Sequence, residues 1–170
     1  MERFGDVTFQ GNPLTAVGPA LRVGDKAPDF QLLATDLSPV GLSDSDGRVR
    51  LISAVPSLDT PVCDMQTRKF NEQIDALGDS VAGYTVSADL PFAQARWCGA
   101  AGIKRMQTLS DHLAMAFGDA YGTHIKELRL ESRAVFVADG QGLIRYVEYV
   151  KEITNHPDYE AALAAIKSLI

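Results

Sequence analysis

The stretch Val49-Arg50-Leu51-Ile52-Ser53-Ala54-Val55-Pro56-Ser57-Leu58-Asp59-Thr60-Pro61-Val62-Cys63 carries a strand, a turn and a helix start in fifteen consecutive residues. Residues 49–55 are apolar and rich in β-branched side chains, the composition of a buried strand. Thr60 suits a helix N-cap and Pro61 a first helical position, because proline has no N–H to leave unpaired and its φ already matches a helix. Residues 64–77 read as the body of that helix, so Cys63 falls in the first turn. A sulfur there lies near unpaired backbone N–H groups and the positive end of the helix dipole, and both favour thiolate over thiol.

The helix alone is not enough. A free thiol, with a pKa of about 8.5, is only a few per cent ionised at neutral pH. Making thiolate the dominant form takes roughly 3.4 kcal/mol, at about 1.36 kcal/mol per tenfold change. A helix N-terminus supplies up to about 2 kcal/mol in a partly buried site, so a cation must supply the rest. Arginine suits that task because its fork donates two hydrogen bonds at once and stays charged.

Outward from this stretch, strands and helices alternate. Residues 7–10 and 14–17 flank Gly11-Asn12-Pro13 in the pattern of an N-terminal β-hairpin. Residues 81–87 read as a second buried strand. Asp89-Leu90-Pro91 then opens a helix that contains Arg96 and Cys98 and ends near Gly99. A short strand is expected at 107–109 and a helix at 111–117. Strands at 134–138 and 143–150 are joined by Asp139-Gly140-Gln141-Gly142, a hairpin signal, and an amphipathic helix at 158–169 closes the chain. This order predicts an α/β fold with a central mixed β-sheet flanked by helices. There is no internal repeat, linker or low-complexity stretch, and 170 residues fit one domain, 1–170, able to bury a core without disulfide staples.

Hydrophobic residues make up 46% and charged residues 22% of the chain, which places it with globular proteins rather than disordered or membrane-spanning ones. No apolar run approaches the roughly 20 residues needed to cross a bilayer. Met1-Glu2-Arg3-Phe4-Gly5-Asp6 is polar where a signal peptide would be apolar, so a cytoplasmic location is expected. A net charge of −6 without a Lys/Arg cluster excludes a phosphate-backbone footprint, so no nucleic-acid partner is expected. Two cysteines in a reducing compartment are either inert or redox-active. Cys63 and Cys98 are too far apart in sequence for a Cys-x-x-Cys dithiol, and His112, His124 and His156 form no zinc pattern with them. No phosphate loop or dinucleotide fingerprint is present, so no cofactor is expected and electrons should come from a protein dithiol.

Pro56, Thr60 and Cys63 match the signature Pro-x-x-x-Thr-x-x-Cys, and the chain thereby resembles the peroxiredoxins. Longer strings are similar to the bacterial thiol peroxidase subfamily, among them Val7-Thr8-Phe9-Gln10-Gly11-Asn12-Pro13, Val23-Gly24-Asp25-Lys26-Ala27-Pro28-Asp29-Phe30, Thr67-Arg68-Lys69-Phe70-Asn71 and Asp89-Leu90-Pro91-Phe92-Ala93-Gln94-Ala95-Arg96. Ser132-Arg133-Ala134-Val135-Phe136-Val137 and Glu152-Ile153-Thr154-Asn155-His156-Pro157-Asp158-Tyr159 extend the resemblance almost to the C-terminus. Pro61 stands where the subfamily commonly has glycine, a change that a helix start accommodates.

The resemblance implies a thioredoxin-like fold and a peroxidase that reduces hydrogen peroxide and organic hydroperoxides. It implies that Cys63 attacks the terminal peroxide oxygen and becomes a sulfenic acid, that Thr60 hydrogen-bonds the peroxide, and that Arg133 stabilises the thiolate. Without it, Arg133 would not stand out from the other arginines. Pro56 either shields the sulfur, as its counterpart does, or simply ends the strand. Cys98 would be an ordinary packed cysteine by composition; the resemblance instead makes it the resolving cysteine of an intramolecular Cys63–Cys98 disulfide recycled by thioredoxin. Two thiols on separate helices exceed the roughly 7 Å Cα spacing of a disulfide, so local unwinding is expected. A noncovalent homodimer with both cysteines working within one chain is also implied. Two other classes compete: a redox sensor oxidised once at Cys63, and a thioredoxin-fold binding module with inert cysteines.

Overall fold

Strands and helices alternate along residues 1–170 of the computed structural model in the order β1 (Glu2–Phe9), β2 (Asn12–Val17), β3 (Gln31–Leu33), β4 (Pro39–Gly41), β5 (Val49–Ala54), α1 (Pro61–Asp75), β6 (Val81–Ser87), α2 (Pro91–Ala101), β7 (Met106–Ser110), α3 (Ala116–Tyr121), β8 (His124–Ile125), β9 (Leu130–Glu131), β10 (Ala134–Ala138), β11 (Ile144–Tyr149) and α4 (Tyr159–Lys167). Seven strands form one mixed sheet in the order β11-β10-β5-β6-β7-β3-β4, in which β5, β6 and β7 run parallel and the others antiparallel to their neighbours. Four strands form a second, antiparallel sheet, β1-β2-β8-β9.

The middle strands are buried on both faces, which is why residues 49–55 and 81–87 are mostly apolar and show no strict alternation with exposed polar residues. Their side chains alternate between two cores. Ile52, Tyr84, Leu109 and Phe136 face one layer with Phe30, Phe117 and Tyr121, whose rings stack edge-on or offset. Leu51, Val135 and Val137 face the other, against Phe70 and Ile74 of α1 and Ala162 and Ile166 of α4. The sheet is thus covered by α1 and α4 on one side, and it holds the C-terminal end of β5 and the start of β10 side by side, with Ala54 opposite Ala134.

Several expected boundaries move. The N-terminal hairpin begins at Glu2 and turns at Gln10 and Gly11, both with positive φ, the geometry that suits a two-residue turn between twisted strands. The helix expected at 111–117 starts only at Ala116, because Met115 adopts a left-handed φ of 53° and the Asp111 carboxylate accepts the Gly118 N–H at 2.9 Å instead of capping a helix of its own. α2 runs past Gly99 to Ala101 and stops at Gly102, whose φ of 67° makes the left-handed cap. Asp158 lies just outside α4 and caps it, accepting the Ala161 N–H at 3.0 Å.

Candidate active site

The chain leaves β5 through Val55, whose N–H donates to Val86 O at 2.9 Å, and Pro56 is buried at the start of the turn. The turn is held by Asp89 from the β6–α2 connection: Ser57 Oγ donates to one carboxylate oxygen at 2.7 Å and Leu58 N–H to the other at 2.8 Å. That fixes where α1 begins. Cys63 follows in the first turn, fully buried against Val55 and Leu58 with Trp97 packed beside them.

Thr60 occupies the N-cap position in an extended conformation, yet its side chain makes no cap. Its Oγ1 lies 2.6 Å from Cys63 Sγ and 2.9 Å from Ser57 O. The hydroxyl carries one proton for two neighbours. With Cys63 as a thiol, S–H donates to Thr60 and Thr60 donates to Ser57 O; with a thiolate, the Thr60 proton turns to the sulfur.

Arg133 enters from the strand side. It immediately precedes β10 and is 2% exposed. Nε and Nη2 both donate to Ile153 O, at 2.9 and 2.6 Å, Nη1 donates to Gln66 Oε1 at 2.8 Å, and Nη2 also points at Cys63 Sγ at 3.4 Å. Gln66 is steered in turn, its Nε2 donating to Ser53 Oγ at 2.6 Å. The partners of this buried guanidinium are neutral oxygens and one sulfur, and a buried cation without counter-charge is costly. Of those partners only the Cys63 sulfur is able to carry a negative charge.

Thr60 and Arg133 open onto a pocket of about 330 Å³ walled by Phe9, Pro56, Pro61, Val62, Leu128, Leu130 and Ile153. Thr60, Arg133 and Thr154 are the polar residues of an otherwise apolar cleft, an arrangement that suits a small polar group carrying an apolar substituent.

Residues 22–163 match the Redoxin family model. The chain is 60% identical to a thiol peroxidase of Halalkalibacterium halodurans over 164 residues, covering 96% of this chain and 98% of that protein. The chain belongs to the thiol peroxidase subfamily of the peroxiredoxins. A thiol peroxidase of Bacillus subtilis is 56% identical over 165 residues, covering 97% of this chain and 98% of the other. Among solved structures, a peroxiredoxin-like protein from Aquifex aeolicus superposes with a TM-score of 0.89 at 41% identity over 96% of both chains. A thiol peroxidase from Chromobacterium violaceum, at 22% identity and a TM-score of 0.86 over 95% of both chains, shares the fold. This peroxiredoxin is therefore a thiol-dependent peroxidase with a thioredoxin-like fold, and no helix is long and apolar enough to cross a membrane.

In this peroxiredoxin Pro56, Thr60 and Arg133 line one pocket, and the fully buried Cys63 sulfur lies behind it in contact with Thr60 and Arg133. Cys98 stands apart on α2, half-buried, its Sγ 3.3 Å from Thr108 Oγ1, and both thiols are free. Burial raises the Cys98 thiol above its ordinary value, and the Thr108 hydrogen bond only partly offsets that. Three contributors were not singled out by sequence: Gln66, Asp89 and the Ile153 carbonyl. Gln66 left a signal, a polar residue one helical turn after Cys63 and hence on the same buried face.

Proposed function

We propose that Cys63 is the peroxidatic nucleophile of residues 1–170 acting as one domain. The thiolate attacks the terminal peroxide oxygen; the S–O bond forms as the O–O bond breaks, and the departing oxygen takes the electron pair and a proton to leave as water or an alcohol. Thr60 donates a hydrogen bond to the peroxide, Arg133 stabilises the thiolate and the charge building on the distal oxygen, and Pro56 keeps solvent off the sulfur. The observation that carries this reading is the buried Arg133 guanidinium, whose only possible counter-charge among its partners is the Cys63 sulfur.

Both hydrogen peroxide and organic hydroperoxides are substrates. The apolar walls of the pocket favour the organic ones, since a buried hydrocarbon substituent gains about 0.8 kcal/mol per CH₂. Cys98 then attacks the Cys63 sulfenic acid, releasing water and forming an intramolecular disulfide that thioredoxin reduces by dithiol exchange. The protein works in the cytoplasm as a noncovalent homodimer in which each chain holds a complete site. Exposed Leu90 and Phe92 at the start of α2 and Leu113 before α3 offer apolar surface for such pairing.

Steady-state turnover with thioredoxin, its reductase and either hydrogen peroxide or cumene hydroperoxide tests this function. Sustained turnover is expected with both, with the larger kcat/KM for cumene hydroperoxide. A single oxidation per chain with no recycling would contradict it. Arg133→Met tests the electrostatic part: alkylation of Cys63 by iodoacetamide at neutral pH and the rate of peroxide attack should both fall on the order of 10²-fold, the usual loss when one charge-stabilising donor is removed from a reacting centre. Unchanged rates in a variant with a native far-UV spectrum would mean that Arg133 does not act on the sulfur.

A further inference from the structure

The N-terminal hairpin is tied to the active site through one carboxylate. Glu152, between β11 and α4, accepts at Oε1 from Gln10 N–H at 3.0 Å, Thr154 N–H at 3.2 Å and Thr154 Oγ1 at 2.9 Å. At Oε2 it accepts from Thr8 Oγ1 and Gly11 N–H, each at 2.9 Å. Backbone bonds flank it, from Thr8 N–H to Lys151 O at 2.7 Å and from Ile153 N–H to Thr8 O at 3.0 Å. Glu152, the residue that precedes Ile153, therefore binds both turn residues of the hairpin. On one side of this junction the Ile153 carbonyl receives two N–H groups of Arg133. On the other, Phe9 forms a wall of the pocket together with Ile153 and Thr154. Burial works against ionisation of Glu152, but hydrogen bonds from Gly11, Thr8, Thr154 and Gln10 outweigh it and bring the group down to about 2, so it is a carboxylate wherever the enzyme works.

We propose that Glu152 is a positioning residue for the peroxidase reaction: it seats the Ile153 carbonyl that orients Arg133 on Cys63, and it fixes Phe9 where an organic substituent of the peroxide packs. The proposal rests on the roles given above to Cys63 and Arg133. The geometry explains why the effect reaches the sulfur. Two donors of the Arg133 fork meet a single carbonyl and a third meets Gln66, so the direction of the remaining Nη2 N–H toward Sγ is set by where that carbonyl sits. A displacement of about 1 Å at a reacting centre costs up to about 10²-fold in rate.

The test compares Glu152→Ala and Glu152→Gln with the wild type. Glu152→Ala should slow iodoacetamide alkylation of Cys63 at neutral pH about tenfold, and should lower kcat/KM for cumene hydroperoxide by a larger factor than for hydrogen peroxide, because only the bulky substrate uses the Phe9 wall. Glu152→Gln should fall between, since its Oε1 still accepts from Gln10 and Thr154 while its amide opposes the Gly11 N–H. A merely structural role would lower both substrates by one common factor that follows the unfolded fraction in the far-UV spectrum, and that outcome overturns the proposal. So does unchanged alkylation with an unchanged substrate ratio, or an unfolded Glu152→Ala beside a wild-type-like Glu152→Gln. Alkylation is read without peroxide, so a wild type that consumed no peroxide would remove the underlying assignment and be seen separately.

Discussion

Cys63→Ser should lose peroxidase activity by about 10³-fold or more, the scale of loss when a covalent nucleophile is removed, while the protein stays folded. Serine fills almost the same volume in the pocket formed by Val55, Leu58 and Trp97, and its hydroxyl can still meet Thr60 Oγ1. What it lacks is ionisation. An alkoxide is not accessible at neutral pH, so neither the first-turn N–H groups nor the Arg133 guanidinium has an anion to stabilise. Consumption of hydrogen peroxide by the purified variant is the measurement; turnover near the wild-type rate would move the chemistry away from Cys63.

Cys98→Ser should have an equally large effect on a different quantity. A single turnover of peroxide at Cys63 should proceed at the wild-type rate, and thioredoxin-linked steady-state turnover should be nearly abolished. Stopped-flow oxidation and the coupled assay separate the two, and equal loss in both would argue against a resolving role. On that resolving route, contacts between α1 and α2 would have to open. Trp97, next to Cys98, donates its Nε1–H to Asp64 Oδ1 at 2.8 Å, and Asp64 is next to Cys63. Arg68 pairs with Asp64 at 2.9 Å, donates to Ala101 O at 3.3 Å, and lies 5.7 Å from the centre of the Trp97 ring. These contacts bind the last turns of α2 to α1, and a Cys63–Cys98 disulfide would form at their expense.

That opening carries a pH dependence whose sign follows from Cys98. Its thiol is raised in the fold by burial, so the folded state holds the proton more tightly than the open one. The stabilisation is present below the ordinary thiol value of about 8.5 and is lost as pH rises through and above it. Opening of α2 and ionisation of the attacking thiol both increase toward alkaline pH, so disulfide formation after a single oxidation should accelerate between neutral and mildly alkaline solution.

The parts of this picture that were legible in the sequence are those with local rules. A β-branched run, a threonine, a proline and a cysteine spell strand, turn and helix start in order, and α1 begins at Pro61. The β10–β11 turn and the final helix were equally readable, because turn residues and a 3.6-residue apolar period lie within a few positions of each other. What failed was local information overruled by distant contacts. The threonine that looked like a cap is turned away from the helix N–H groups by the sulfur it touches. The helix expected at 111–117 is delayed by the backbone of Met115 and by Asp111 reaching Gly118. The short pairs β3–β4 and β8–β9 hold two or three residues per strand, too few for alternation to register.

The site divides along the same line. Cys63, Thr60 and Pro56 share one stretch and could be read together. Arg133 reaches the sulfur only because β10 pairs with β5, a long-range register that no property of Arg133 itself announces, and family resemblance rather than residue chemistry singled it out. The Ile153 carbonyl is a backbone atom and leaves no trace in side-chain identity.

The most direct test of the central claim is the covalent state of the wild type after one equivalent of hydrogen peroxide, read by intact mass and by peptide mapping without reductant. The expected product is a monomeric chain lighter by two hydrogens, with the Cys63 and Cys98 peptides joined to each other, and in Cys98→Ser a sulfenic acid trapped by a cyclic 1,3-dione at Cys63. Chains linked to one another through Cys98, or a dione adduct on Cys98 with Cys63 untouched, would contradict it.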